Sequence, residues 1–248
     1  MFRAYYSADE RQQEWLRDRQ IYTIAFPNRF TNPNYPPLGA LLKETLQAEI
    51  DALLKERIAA SPTGQIIPIV HDWGATTTWK FIRQHPDQRA GIEKLVALSV
   101  PSTFRYDIWA KGLLAFGWLY STLFGAPYWL PVGPVRRAVT GLITRSGGYR
   151  SDRDDTLYQD TYHYWYGILR PLLLPFDLLG LRIRPAFLDF AFPVLFMRSP
   201  QDQLPANPDF ERAMQTRQDC RFVLVEGANH WFPEQHAERV LAEIRTFI

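Results

Sequence analysis

The chain is poor in the residues that would point to several common functions. A single cysteine, Cys220, stands among 248 residues, so no intrachain disulfide can form, and a reducing compartment is compatible with that count. No CxxC and no clustered His/Cys spacing suggests a metal site, and the five histidines (His71, His85, His163, His230, His236) are scattered. HExxH, Walker and GxGxxG motifs are absent. The net charge is only +2, and no Lys/Arg run is interleaved with aromatics, which argues against a nucleic-acid partner. The first twenty residues, MFRAYYSADERQQEWLRDRQ, lack the apolar core of a signal peptide, so the expectation is a cytoplasmic protein.

One long uncharged stretch qualifies this picture. Residues 112–133, GLLAFGWLYSTLFGAPYWLPVG, could span a bilayer by length. Pro127, Pro131 and the glycines argue instead for a greasy lid or a membrane-surface contact.

The pattern of elements is clearer. With 46% hydrophobic and 22% charged residues, a sizeable core can form. QQEWLRDR reads as a helix end, and residues 20–27, QIYTIAFP, as a strand. Leu42, Leu46, Ile50, Leu53 and Leu54 recur at helical spacing. QIIPIVHD and IEKLVALSVP read as buried strands around the helix TTTWKFIRQHP. FPVLFMRSP (strand), NPDFERAMQTR (helix), RFVLVEG (strand) and PEQHAERVLAEIRTFI (helix) resume the alternation after residue 190. Strand and helix alternating in this way predict an α/β fold with a mostly parallel sheet. Residues 103–190 interrupt it with helical, aromatic-rich texture. The expected division is therefore 1–102 and 191–248 for the core, with 103–190 as a helical cap.

Chemistry in parallel sheets gathers at the carboxyl ends of strands. IIPIVHDWGA ends an apolar strand in Asp72 and starts a helix at once. An acid there could be a plain helix N-cap. It could also be a nucleophile on a sharp strand-to-helix turn, with the Trp73 N–H as an oxyanion donor. Asp202, in RSPQDQLP, and His230, in EGANHW, each lie just past a later strand. His71 reads as packing beside the turn.

HDWGA, with these ordered partners, resembles the α/β-hydrolase superfamily, in particular its epoxide hydrolase and haloalkane dehalogenase branch. That resemblance implies Asp72 as nucleophile, His230 as base for water and Asp202 as its supporting acid, with no cofactor and no metal. It implies a cap over the site and cap tyrosines that protonate the leaving oxygen. WLYSTLF nominates Tyr120 and YWYGILR nominates Tyr166. Four of the eight Trp and eight of the twelve Tyr lie in 103–190, so a small lipophilic substrate is expected. A haloalkane dehalogenase would use the same Asp72 with Trp73 in a halide cradle; a degenerate, non-catalytic member is the third alternative. Three departures from the family's pattern stand out. The family's first strands and HG-type loop have no counterpart, so a fragment or a half-complete oxyanion hole is expected. Val70 replaces a small residue two before the nucleophile, which predicts a disturbed turn. Pro68 falls inside a strand that should be central.

Overall fold

The computed structural model describes residues 43–103, 133–146, 186–202, 204 and 207–248. Four strands form one parallel sheet: β1 (Ile69–His71), β2 (Leu95–Leu98), β3 (Val194–Arg198) and β4 (Arg221–Leu224), in the spatial order β1-β2-β3-β4. Around it lie α1 (Lys43–Ala60), α2 (Trp73–Gln84), a 3-10 turn (Pro86–Gly91), α3 (Gly133–Ser146), α4 (Pro208–Thr216), α5 (Phe232–Gln235) and α6 (Ala237–Phe247). The strand predicted at residues 20–27 lies outside the described residues.

The two middle strands explain the apolar runs. Every residue of β2 is buried, as are the first four of β3. Alternate side chains go to opposite faces. Ala97, Val194 and Phe196 join Ile50, Leu54, Trp79, Phe81, Ile82, Phe210 and Met214 from α1, α2 and α4. Val96, Leu98, Leu195 and Met197 join Phe232, Val240 and Ile244 from α5 and α6. A sheet covered on both faces needs no polar alternation, so LVAL and VLFM read as continuous apolar runs.

Several predicted elements are shorter than the sequence suggested. The strand read at 65–72 is reduced to Ile69–His71, preceded by an isolated bridge between Ile66 and Ile92. Pro68 lies between the two, where its missing donor interrupts pairing, while its carbonyl still accepts from Val96 N–H at 2.9 Å. β2 stops at Ser99, which has φ 70°, and β4 is followed by a turn with Gly227 at φ 75°. The last helix is split at His236 (φ −128°, ψ 45°), which separates α5 from α6.

Gly91 is required by close packing. A Cβ there would lie 2.5 Å from Ile58 Cγ2 and about as close to two further Ile58 carbons. We expect Gly91→Ala to destabilise the fold by about 1–3 kcal/mol in urea unfolding. Combined with Ile58→Ala, the two changes should couple favourably by roughly 1 kcal/mol; strict additivity would show that the contact is not the cause.

Candidate active site

Parallel strands deliver their carboxyl ends to the same edge of the sheet, and three of them supply the site. β1 ends at His71, and the next residue is Asp72, with φ 51° and ψ −120°. This is one of two non-glycine residues with positive φ among the described residues. Such a conformation costs on the order of 1–3 kcal/mol. It turns the chain from strand to helix within one residue, since Thr76 N–H already donates to the Asp72 carbonyl at 3.0 Å.

Val70 does not obstruct this turn, contrary to the sequence expectation. Gly74 occupies the facing position, and even a Cβ built on it would stay 3.9 Å from Val70 Cβ. That is an ordinary van der Waals separation, so Val70 and the start of the helix do not crowd each other.

The N-cap alternative for Asp72 is also answered. Its side chain makes no capping hydrogen bond to α2. Asn207 shows what a cap looks like in this protein: its Oδ1 accepts from Phe210 N–H at 3.2 Å. The carboxylate of Asp72 instead faces His230, with Oδ2 3.7 Å from Nε2. Trp73 opens α2, so its N–H sits at the positive end of that helix.

His230 lies in the loop after β4. Val225 N–H bonds to the Arg198 carbonyl at 2.9 Å, which carries the strand edge into the loop. The side chain of Asn229 accepts from Trp231 N–H at 2.9 Å, a local turn around the histidine. The Ser199 hydroxyl donates to the Ala228 carbonyl, joining this loop to the end of β3.

The end of β3 also supplies the acid. Asp202 accepts from His230 Nδ1, at 3.2 and 3.1 Å to its two oxygens. Its carboxylate is only 2% exposed, and a second donor, Leu204 N–H, reaches Oδ1 at 2.9 Å. A buried carboxylate needs such partners. Because Nδ1–H is directed at Asp202, Nε2 is the atom presented to Asp72.

Burial opposes a charge on the His230 ring, but hydrogen bonds and charge from Asp202 and Asp72 outweigh it and raise its pKa to about 10. His71 behaves in the opposite way. Its Nε2–H donates to the His230 carbonyl at 3.0 Å, and the two rings lie 4.7 Å apart. Burial, and then the charge on His230, push His71 down to about 4, against the pull of Asp72 and Asp202. The resting site therefore holds one charged and one neutral imidazole.

The structure thus brings together Asp72, His230 and Asp202, with Trp73 beside them. Tyr120 and Tyr166 lie outside the described residues, as does any cap contact they would make. Two residues gain a place that the sequence did not signal. His71 touches His230 directly instead of only packing near it. Ser99, read as part of a strand, is 4% exposed and places its hydroxyl 3.5 Å from the same His230 carbonyl. Among the described residues no group of three His, Cys, Asp or Glu is arranged to hold a metal. No helix among them is long and apolar enough to cross a membrane.

An alpha/beta hydrolase family model matches residues 5–243. The chain belongs to the alpha/beta hydrolase family. Epoxide hydrolase 2 of Caenorhabditis elegans is 24% identical over 192 residues, covering 72% of this hydrolase-family chain and 53% of the relative. The chain thus spans about half the length of the curated relative it matches. Among solved structures, an epoxide hydrolase from Bacillus megaterium in complex with an inhibitor is similar at TM-score 0.58 and 16% identity, covering 86% of this chain and 78% of that one. A type II thioesterase from the borrelidin biosynthetic cluster is similar at TM-score 0.56 and 17% identity, with 99% and 86% covered. These likenesses share the hydrolase fold with chains of different named activities.

The two histidines set a pH dependence of stability with a definite sign. His230, raised to about 10, contributes stability that is complete below the unfolded value of 6.5 and is lost as pH rises towards 10. His71, lowered to about 4, opposes folding as pH falls from 6.5 towards 4, because the unfolded chain takes up its proton first. Their joint contribution is greatest near pH 6.5, and the His230 limb is no steeper than about 1.4 kcal/mol per pH unit. Urea unfolding across pH should show the alkaline limb flattened in His230→Ala and the acid limb flattened in His71→Gln.

Proposed function

We propose that this alpha/beta hydrolase opens a lipophilic epoxide through a covalent ester on Asp72. The observation that carries the reading is a carboxylate, in place of a hydroxyl, on a strained strand-to-helix turn and facing His230. The nucleophile's chemistry favours an alkyl substrate. A carboxylate attacking an acyl carbon makes a reactive mixed anhydride, whereas attack on a saturated carbon makes an ordinary ester. Similarity to the nematode epoxide hydrolase supports the same choice over a thioesterase.

In the first step an Asp72 oxygen bonds to an epoxide carbon as the ring C–O bond breaks. The ring oxygen leaves with the electron pair and takes a proton, for which Tyr120 and Tyr166 of the proposed cap are the candidate donors. In the second step His230 Nε2 removes a proton from water, and the hydroxide adds to the ester carbonyl. The Trp73 N–H at the start of α2 stabilises the resulting oxyanion. Collapse releases the diol oxygen, which takes that proton back from His230; the proton of the added hydroxide then passes from Asp72 to His230, restoring the carboxylate and the resting imidazolium. Asp202 holds the ring and its charge throughout.

The same charges time the two steps. Before alkylation, Asp72 and Asp202 together keep His230 protonated. Esterification removes the negative charge of Asp72, so the His230 pKa falls, its resting proton passes to the phenolate left by the tyrosine donor, and the ring becomes a base only once there is an ester to hydrolyse. Trp73, next to the nucleophile, favours haloalkane chemistry as a second reading, with the same ester and halide as leaving group.

The test is intact-mass analysis of the His230→Ala full-length protein after incubation with lipophilic epoxides and haloalkanes. Turnover should fall by about a hundredfold or more, and an adduct of the whole epoxide mass should accumulate. That adduct should vanish in Asp72→Ala/His230→Ala. An adduct lighter than the haloalkane by one hydrogen halide would assign dehalogenation instead. Folded protein that binds these ligands without any adduct would remove Asp72 as the nucleophile.

A further inference from the structure

We propose that the backbone carbonyl of His230 is an anchor point through which His71, in its Nε2–H tautomer, and Ser99 position the His230 imidazole for the reaction. This rests on the function proposed above for His230. Three strands of the one sheet supply the parts. β1 ends in His71, β2 ends just before Ser99, and the loop after β4 carries the carbonyl they share.

The tautomer follows from the partner. A carbonyl oxygen has no proton to give, so the 3.0 Å contact requires the hydrogen on His71 Nε2. The ring cannot turn to serve another partner cheaply. It is packed against His230 at 4.7 Å between centroids and 33° between planes, against Trp231 at 6.0 Å, and edge-on to Phe232 at 6.4 Å. Asp72, Asp202 and His230 are the ionisable groups that act on it. Its own burial, and then the His230 charge beside it, keep it uncharged, so it acts as a fixed donor.

Ser99 makes the longer and weaker contact, at 3.5 Å. Its backbone shows why it is held there. Ser99 has φ 70°, and Val100 N–H bonds to the Leu98 carbonyl at 2.9 Å across it, a three-residue turn of the strained kind. Ser99 N–H is itself fixed to the Met197 carbonyl at 2.8 Å. A serine in a conformation that glycine adopts without strain needs a reason for its side chain, and the hydroxyl's partner supplies one.

Because the carbonyl and the imidazole belong to one residue, holding the first limits where the second can go. A displacement of about 1 Å at a reacting group can reduce turnover by roughly a hundredfold. His71 and Ser99 are positioning residues on this account: neither touches the substrate.

The experiment compares His71→Phe, His71→Gln and Ser99→Gly in the full chain by two readouts. The first is the His230 ring titration followed by NMR, which needs no substrate. The second is turnover of an epoxide, separated into kcat and KM. His71→Phe keeps ring volume and loses the donor. Its His230 midpoint should move towards the ordinary histidine value, and kcat should fall about 10- to 100-fold with KM little changed. His71→Gln restores a neutral donor and should recover most of both. Ser99→Gly should lower kcat several-fold while leaving thermal stability equal or higher. An unchanged His230 titration in His71→Phe would overturn the role of His71. A His71→Gln variant as impaired as His71→Phe in both readouts would overturn donation by a neutral group. Unaltered kcat in Ser99→Gly would overturn the part assigned to Ser99. If the wild-type protein fails to turn over epoxides, the function reading falls, while the NMR comparison still decides the anchor.

Discussion

A positively charged imidazole held between two carboxylates is the interaction on which the site depends. Asp202 is almost fully buried, and its charge is sustained by the His230 Nδ1–H and by Leu204 N–H. Remove the imidazolium and a buried carboxylate loses its main counter-charge, which is far more costly than losing a surface pair. The second carboxylate, Asp72, lies further from the ring, at 3.7 Å, and is the more exposed of the two. On the proposed mechanism this asymmetry separates their roles: the near, buried acid fixes the ring, and the looser, more exposed acid reacts.

Holding this arrangement requires strain, and the strain sits beside the most deeply buried strands among the described residues. Asp72 and Ser99 both adopt positive φ, each at the carboxyl end of a strand. Between and behind them lie β2 and β3, whose apolar side chains are sealed on both faces. Trp79 ties the two ends together: its indole N–H donates to the Val100 carbonyl at 3.2 Å, linking the helix after Asp72 to the chain after Ser99. Ser102 and Asn207 extend the ties. The Ser102 hydroxyl donates to the Phe187 carbonyl at 2.7 Å, and the Asn207 amide to the Thr103 carbonyl at 2.7 Å. The chain near residues 102–103 is thus tied both to Phe187 and to the start of α4, next to the loop that carries Asp202.

What the sequence made legible was what burial and chain order control. LVAL and VLFM could be read as strands because a sheet covered on both faces selects continuous apolar runs. Asp72 could be picked out because it ends an apolar strand and starts a helix at once; Asp202 and His230 were nominated by the resemblance to the family, each in a loop after a later strand. Val70 misled because the room at the turn depends on the backbone path after Asp72, which leaves 3.9 Å even to a Cβ built on Gly74. Pro68 acted as a proline should, since pairing is interrupted there and β1 begins only at Ile69. The hydrogen bonds to the His230 carbonyl were hidden for another reason. They join residues 131 to 159 positions apart, and no local propensity marks a serine in SVP as the centre of a strained turn. His236 likewise gives no composition signal for the break between α5 and α6.

The charge inventory explains why the second histidine should be neutral. With Asp72 and Asp202 as carboxylates and His230 charged, the resting site carries a net negative charge, which suits the nucleophilic attack of the proposed mechanism. A second imidazolium on His71 would cancel that charge and stand 4.7 Å from the first. Its neighbour would then be easier to deprotonate before any ester exists, and the coupling between alkylation and base formation would weaken. Keeping His71 neutral leaves Asp72 as the charge that changes during the first step. On the proposed mechanism, one event at Asp72 consumes the nucleophile, neutralises the site around the bound alkyl group and releases His230 to act as a base.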